Sequence, residues 1–248
     1  MEKVSGLLRA LSGRMHMVQG ECEEHGVLDA LTRTNGGTWH CPMCLERKMA
    51  EDRAEFERVQ SLKTRMHAAK IPTKFAGSNF VVKSPDHKAV RQQVKAFRDF
   101  FVSVGGWASL VLIGEPGTGK SLLACELIES MIKSLGINAR YVTANEMISE
   151  IRASYSTEGK TEHSEIARFA SYDMLVIDEV DAIPPSPNAA LLLNEVYNHR
   201  YSNARPVVTI SNQAFGILEQ FVGSRVYSRL NENMFMCAHT WADERRAA

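Results

Sequence analysis

The segment that decides the fold is Gly114-Glu115-Pro116-Gly117-Thr118-Gly119-Lys120-Ser121, which fits the pattern G-x-x-x-x-G-K-[ST]. An apolar run that predicts a β-strand precedes it, and a segment with helical periodicity follows it. Glycines let backbone N–H groups turn toward phosphate oxygens, and the helix N-terminus adds a dipole that favours anions. All eight residues are therefore candidate nucleotide-binding residues. We expect Lys120 to reach the β- and γ-phosphates and the Ser121 hydroxyl to bind Mg²⁺.

Short β-rich runs alternate with helix-length segments around this loop, a pattern typical of an α/β domain with a parallel sheet. The predicted strands are Ser109–Ile113, Ala139–Thr143, Met174–Asp178, Val207–Ser211 and Met234–Ala238. Helices are predicted at about 86–103, 120–134, 145–155, 162–170, 188–201 and 213–230, the last with a break near Gly223. The expected fold is a five-stranded parallel sheet covered by helices.

Polar side chains follow two of these strands. Asp178 and Glu179 end the run Met174–Asp178, and Asn212 follows the next strand. Because the carboxyl ends of parallel strands line the ligand crevice, we expect Asp178 at the Mg²⁺ and Glu179 at the water that attacks the γ-phosphate. Asn212 would orient that water or contact the γ-phosphate, or it would cap a helix starting at Gln213.

Two arginines lie four residues apart in Val222-Gly223-Ser224-Arg225-Val226-Tyr227-Ser228-Arg229-Leu230. This spacing predicts one shared helical face. A guanidinium donated across a subunit interface stabilises the charge of a γ-phosphoryl transition state. Arg225 and Arg229 are therefore candidates for that role, although surface arginines are common.

Two potential chelating pairs, Cys22-x2-His25 and Cys41-x2-Cys44, are separated by 15 residues. Together they predict a tetrahedral Zn²⁺ site of Cys3His type. His40 is an alternative to His25, but its position next to Cys41 disfavours chelation by both. A segment this short cannot bury enough apolar area to fold alone, so the metal would contribute folding energy and its role would be structural.

The region after the cysteines predicts one charged helix from 45 to about 70, which Pro72 ends. Its apolar residues recur at spacings of three, four and seven: Leu45, Met49, Phe56, Val59, Leu62 and Met66. This stripe would pack on its own protein or dock into a groove of a partner. The glycine pair Gly36–Gly37 predicts the turn of a short hairpin before it. The expected domains are a zinc module at 1–46, a helical linker at 47–74 and a nucleotide-binding domain at 75–248.

The composition of the 248 residues, with 44% hydrophobic and 23% charged side chains, excludes disorder, collagen and a pure disulfide scaffold. Twenty-nine basic residues balance 29 acidic ones, so nucleic-acid contact would need a local patch. One candidate is the run Arg58–Pro85, which has six basic residues and no acidic one. This run is either a solvated face or a surface that tracks phosphates.

The sequence has no secretory signal and no apolar stretch long enough to span a membrane, so we expect a cytoplasmic protein. In that compartment the five cysteines are reduced thiols or metal ligands. Cys125 and Cys237 fall in a predicted helix and a predicted strand, where burial explains them without a chemical role.

The combination of GEPGTGKS, MLVIDE, TISN and GSRVYSRL, preceded by Ile71-Pro72-Thr73-Lys74-Phe75 and Phe80, resembles the DnaC-type helicase loaders and their relatives, the IstB-type transposition ATPases. Both belong to the AAA+ ATPases. The resemblance implies Lys120 and Ser121 in Walker A, Asp178 and Glu179 in Walker B, and Asn212 as sensor 1. It also implies Arg229 as the arginine finger, with Arg225 as a second nucleotide or interface contact.

Two further features bear on this resemblance. Nineteen residues follow Arg229, too few for the helical lid of many AAA+ proteins, and we expect no lid. Many relatives continue Ile-Gly after the Walker B acids, whereas this chain has Val180-Asp181 and a proline cluster at Pro184, Pro185 and Pro187. The prolines predict a rigid, altered loop and put the family's nucleic-acid contacts there in doubt.

The resemblance implies an ATP-dependent loader of a replicative DnaB-type helicase onto single-stranded DNA, self-associating through ATP-bridged interfaces. Its cofactors would be ATP or ADP and Mg²⁺, with Zn²⁺ in the N-terminal module. Arg152, Tyr155 and Lys160 are loose candidates for DNA contact, since stacking aromatics and cations suit single strands. The alternatives are an IstB-type transposition helper and a zinc-stabilised adaptor with a structural nucleotide site; a small-molecule kinase fits the Asp-Glu strand end less well.

Overall fold

The computed structural model describes residues 15–33, 39–183 and 186–244. The chain divides into two compact units, Met1–Ser61 and Leu62–Ala248. The Gly36–Gly37 turn and the prolines at 184 and 185 lie outside the described residues. The three-domain division at 46/47 and 74/75 stays a prediction.

The first unit contains a β-hairpin and the start of a long helix. Strands β1 (Met15–Cys22) and β2 (Gly26–Arg33) pair antiparallel, and helix α1 spans Pro42–Ala68. The indole of Trp39 lies so close to Gly20 that a Cβ there would come within 2.2 Å of the ring. Among the described side chains of this unit, Ala30 and Cys41 are the two that are buried. Apolar burial therefore contributes little to this fold.

The second unit is built on a parallel sheet with the strand order β4-β5-β6-β3-β7. Its strands are β3 (Ser109–Gly114), β4 (Ala139–Thr143), β5 (Met174–Asp178), β6 (Val207–Ser211) and β7 (Met234–His239). All five predicted strands are confirmed; β3 and β7 each extend one residue further. The residues that follow β7 as far as 244 form no α-helix.

The described residues of this unit form six further α-helices: α2 (Pro85–Ser103), α3 (Lys120–Leu135), α4 (Ala144–Ala153), α5 (Glu162–Ser171), α6 (Pro187–Ser202) and α7 (Phe215–Asn231). Gly223, at φ 79° and ψ 158°, breaks the helical path of α7 as predicted. Thr143 caps the start of α4 with a capping box. Its hydroxyl accepts a hydrogen bond from the backbone N–H of Glu146, and the Glu146 carboxylate accepts one from the backbone N–H of Thr143.

The sheet is buried on both faces. Leu110 and Leu112 of β3 pack with α2 and α3, whereas Val111 and Ile113 pack with the helices of the opposite face. This alternation follows from the two-residue repeat of a strand, and burial on both faces explains why β3, β5 and β6 are mostly apolar. None of the described helices is both long enough and apolar enough to cross a membrane.

Candidate functional site

The loop between β3 and α3 has the geometry of a phosphate cradle. Gly117 and Gly119 have φ values of 82° and 83°, in the left-handed region that glycine tolerates at no steric cost. Lys120 is 5% exposed, and its ammonium donates hydrogen bonds to the carbonyls of Gly114 (2.6 Å) and Glu115 (2.8 Å). A buried positive charge is thus held at a loop that begins a helix, an arrangement that attracts anions.

The end of β5 lies next to this loop. Asp178 is 3% exposed, and both of its carboxylate oxygens accept hydrogen bonds. Its Oδ2 accepts the hydroxyls of Ser121 (2.6 Å) and Tyr141 (2.5 Å), and its Oδ1 accepts the N–H of Glu179 (2.7 Å). The structure therefore brings the predicted oxygen ligands of Mg²⁺, Ser121 and Asp178, into direct contact.

Glu179 adopts a conformation that is uncommon outside glycine. Its φ of 54° and ψ of 42° lie in the left-handed region, which costs about 1–3 kcal/mol and is concentrated at functional sites. Partial desolvation, together with the charges of Asp178 and Asp181, raises the pKa of Glu179 above its usual value. A raised carboxyl pKa suits a group that takes up a proton near neutral pH.

A cleft of about 340 Å³ at this sheet edge brings together Lys120, Ser121, Asp178, Glu179 and Asn212. The interpretation of Asn212 as a helix cap is wrong, because α7 begins at Phe215 and its cap position is Ala214. The backbone N–H of Asn212 instead donates to Asp181 Oδ1 at 3.0 Å. This bond ties the strand end that carries Asn212 to the turn that follows Glu179.

Several residues at the cleft were not predicted to belong to it. Phe75 and Glu244 line it, and the Asp243 carboxylate lies against Gly117, where a Cβ would approach within 1.8 Å of it. Glu244 forms an ion pair with Lys83 at 3.1 Å. These contacts join positions far apart in the sequence, and no local spacing predicts them. Tyr141 was also missed; the only signal was a phenol within a run of buried strand residues.

Arg225 and Arg229 do not line this cleft in a single chain. Both line another surface pocket, together with Tyr201 and Glu232. The Arg229 guanidinium lies 4.9 Å from the centroid of the Tyr201 ring, and its buried Nη1 has no hydrogen-bond partner among the described residues. Arg225 is exposed. The structure therefore keeps both arginines away from the phosphate loop of their own chain.

Cys22, His25, Cys41 and Cys44 converge in the first unit, with all four ligand atoms within 4.8 Å of one another. His25 Nδ1 lies 3.6, 3.5 and 3.4 Å from the sulfurs of Cys22, Cys41 and Cys44. A tetrahedron with Zn–S of about 2.3 Å and Zn–N of about 2.0 Å has edges of about 3.5–3.8 Å, so the donor set fits Zn²⁺. His40 is exposed and lies outside this cluster.

The local structure explains how the cluster forms. Cys22 and His25 flank the hairpin turn, while Cys41 precedes α1 and Cys44 lies in its first turn. A hydrogen bond to His25 lowers the pKa of Cys22 to about 6, which favours the thiolate that binds metal. The hydrogen bond that the Cys44 thiol shares with the Cys22 sulfur, together with burial, raises the pKa of Cys44 to about 11.

The candidate DNA-contacting side chains have partners within the chain. The Tyr155 hydroxyl donates to Glu162, and Arg152 donates to the side-chain oxygen of Asn188 at 3.0 Å. Lys160 is likewise paired with a carboxylate, at 3.3 Å. The structure does not gather these three groups into a stacking platform, and their DNA role stays a prediction.

The apolar stripe of α1 divides into two parts. Leu45, Met49 and Phe56 are 48%, 57% and 64% exposed. Leu62 and Met66 are half-buried and pack against the core of the second unit, to which they belong. The expectation that the stripe packs on its own protein thus holds for its C-terminal part, while its N-terminal part is uncovered in the described chain.

Three similarities place these observations among known proteins. The chain is 24% identical over 176 residues to the uncharacterized protein YdaV of Escherichia coli (strain K12), covering 71% of this chain and 69% of YdaV. It is 26% identical over 126 residues to the replicative helicase loader DnaC of the same organism, covering 51% of each. A crystal structure of the DnaC helicase loader superposes with a TM-score of 0.59 at 18% identity, covering 67% of this chain and 98% of that one.

The superposition shows a shared fold, and the matched segment spans about half the length of the E. coli loader. A family model described as IstB-like ATP binding protein matches residues 25–230, most of the chain and all the motifs of the cleft. The chain therefore belongs to the IstB-like ATP-binding proteins.

Proposed function

We propose that this protein loads a replicative DnaB-type helicase onto single-stranded DNA and uses ATP binding and hydrolysis as the switch between assembly and release. The observation that carries the proposal is the cleft that unites Lys120, Ser121, Asp178, Glu179 and Asn212. The likeness to a helicase loader supports the biological role. We expect ATP turnover to be slow in the absence of partners, because a switch must stay in its ATP-bound state until assembly is complete.

The residues of the cleft divide the chemistry of hydrolysis among themselves. The water oxygen bonds to the γ-phosphorus, the bond from that phosphorus to the bridging oxygen breaks, and Glu179 accepts the water proton. Lys120 neutralises phosphate charge, and Asn212 holds the water or a γ-oxygen. Ser121 and Asp178 would hold Mg²⁺, which prefers such oxygen ligands and would neutralise charge on the β- and γ-phosphates.

An arginine from a second copy would complete this site. Neither Arg225 nor Arg229 lines the cleft of its own chain, and the Nη1 of Arg229 lacks a hydrogen-bond partner among the described residues. Both facts support donation across an ATP-bridged interface, with Arg229 as the finger and Arg225 as a second contact. In GTPases such a guanidinium increases the hydrolysis rate by about 10³–10⁵-fold.

The first unit would be the helicase-binding adaptor, held in shape by a structural Zn²⁺ at Cys22, His25, Cys41 and Cys44. Four protein donors fill a tetrahedral site and leave no position for a substrate. Leu45, Met49 and Phe56 would then be presented on α1 as an apolar contact for the helicase.

Transfer of a DnaB-type helicase onto a single-stranded DNA circle tests the proposal. The wild-type protein should support loading with ATP, and Lys120→Ala should support none because nucleotide no longer binds. Glu179→Gln should hold the helicase in an ATP-dependent complex that releases slowly. Full loading by Lys120→Ala would contradict the ATP switch.

Helicase capture tests the adaptor role separately. Phe56→Ser should lose capture at unchanged ATP turnover, since Phe56 is 64% exposed and outside the cleft. Val104→Ser is the matched control, because Val104 is an exposed apolar residue (71%) at the end of α2. If Phe56→Ser and Val104→Ser capture the helicase equally well, Phe56 on α1 does not contribute to helicase binding.

Two other functions share the same core. The match to the IstB-like family model favours a transposition helper as the second candidate. Capture of a transposase in place of the helicase would establish it. A zinc-stabilised adaptor with a purely structural nucleotide site would gain if the protein, mixed with DNA and helicase, showed no ATP turnover.

A further inference from the structure

We propose that Tyr141 is a positioning residue for the divalent-cation site of the ATPase, acting through the carboxylate of Asp178. The inference rests on the proposed function, in which Asp178 and Ser121 hold Mg²⁺. No motif predicted a role for Tyr141, which lies on β4 rather than in the phosphate loop or at the strand end that carries the carboxylates.

The geometry singles this tyrosine out. In the register of the sheet, Thr143 is paired with Asp178 and Tyr141 with Val176, so Tyr141 lies two residues before the edge. Its side chain is 7% exposed and belongs to the cluster packed under α3. From there its hydroxyl donates to Asp178 Oδ2 at 2.5 Å.

The hydrogen bonds around Asp178 show what Tyr141 contributes. A carboxylate offers about four lone-pair directions, and three are occupied by Tyr141, Ser121 and the backbone N–H of Glu179. One direction then remains for a cation or its bound water. Without the phenol, Oδ2 would keep only the Ser121 hydroxyl, the group expected to bind the same cation, and the N–H of Glu179 on Oδ1 would be the one remaining bond from a group that is not itself a predicted cation ligand.

The phenol is a suitable donor for this task. A phenol carries one O–H donor, and free tyrosine loses that proton only near a pKa of about 10, so the hydroxyl can donate to a carboxylate at neutral pH. Partners that orient a metal ligand in this way are commonly worth about 10–100-fold in metal affinity.

A buried tyrosine can also be merely structural, and Tyr197 is the internal reference for that case. It is fully buried on α6, and its hydroxyl shares a 2.8 Å hydrogen bond with Thr209. Neither residue lines the cleft. Tyr197→Phe removes a buried hydroxyl as Tyr141→Phe does, but it leaves Asp178 untouched.

The test measures Mn²⁺ affinity by electron paramagnetic resonance on the full chain, with a non-hydrolysable ATP analogue and no chelator, which would strip the cysteine cluster. Tyr141→Phe should weaken Mn²⁺ binding about tenfold, while affinity for the analogue without divalent cation stays unchanged. Tyr197→Phe should leave Mn²⁺ affinity within twofold of wild type, although both variants lower the thermal midpoint. Equal Mn²⁺ affinities for the two variants would overturn the proposal.

The variant Asp178→Asn distinguishes failure of this inference from failure of the proposed function on which it rests. If Tyr141 acts only through Asp178, adding Tyr141→Phe to Asp178→Asn should cause no further loss of Mn²⁺ affinity; a further tenfold loss would contradict the inference. Should Asp178→Asn alone leave Mn²⁺ affinity unchanged, the cation site of the proposed function fails. If Asp178→Asn weakens Mn²⁺ binding and Tyr141→Phe does not, the role of Tyr141 is rejected while the cation site of the proposed function stands.

Discussion

The two compact units of this chain owe their structure to different forces. In the sheet unit, side chains such as Phe97, Leu110, Ile128 and Val208 have no exposed surface. Among the described residues of Met1–Ser61, only Ala30 and Cys41 are buried, and the ligand atoms of Cys22, His25, Cys41 and Cys44 lie within 4.8 Å of one another. Hydrophobic burial stabilises the sheet unit, whereas we propose that a bound metal ion stabilises Met1–Ser61.

The largest expected effect is the loss of structure in the hairpin when one ligand of the cysteine cluster is removed. Cys41→Ser removes one of four ligands, and structural Zn²⁺ contributes about 10–16 kcal/mol of apparent binding free energy in zinc-finger peptides. Hydrogen exchange on the full chain should show lost protection in β1 and β2 and unchanged protection in β3 to β7. His40→Ala, at an exposed neighbour, is the control and should change neither. Full protection of the hairpin in Cys41→Ser would show that it folds without the metal.

The second prediction concerns the hydrophobic side of the comparison. Phe97→Ala should lower the free energy of unfolding of the sheet unit by about 3–5 kcal/mol, because it empties a fully buried site. Met17→Ala on β1 should change stability by less than about 0.5 kcal/mol, since Met17 is 60% exposed. Urea unfolding of the zinc-loaded protein measures both. If Met17→Ala lowered the free energy of unfolding as much as Phe97→Ala does, the side chain of Met17 on β1 would be buried in solution.

The third prediction is a pH effect confined to the sheet unit. Burial lowers the pKa of His239 to about 4, from 6.5 in the unfolded chain. Below pH 6.5 the unfolded state binds the extra proton, so stability is complete above that pH and falls as the pH drops toward 4. The loss should reach about 3 kcal/mol. Urea unfolding at several pH values should show a flatter dependence for His239→Gln, and identical slopes would count against this assignment.

The same contrast explains how much the sequence could predict. The strands of the sheet were predictable to within one residue, most directly β3, β5 and β6, because a strand buried on both faces is mostly apolar. The hairpin β1–β2 was missed, since its described side chains bury almost no apolar surface and its sequence shows no periodic apolar pattern. The cysteine and histidine spacing nevertheless predicted its ligands as a group, and the structure brings them together.

The candidate nucleotide site divides in a similar way. The residues that local spacing links to a strand end or a glycine loop, among them Lys120, Asp178 and Asn212, meet in one cleft. Tyr141 and Glu244 come from distant segments and could be found only once the sheet register and the path of the chain after β7 were known. Contacts between distant segments depend on tertiary packing, and no local motif encodes them.

The most direct test of the account compares ATP binding and ATP hydrolysis in Glu179→Gln. If the sheet edge is a hydrolytic site with Glu179 as the proton acceptor, the variant should bind Mg·ATP with wild-type affinity while single-turnover hydrolysis falls by about 10²–10⁴-fold. Hydrolysis at the wild-type rate by Glu179→Gln would contradict the central claim that this carboxylate activates the attacking water.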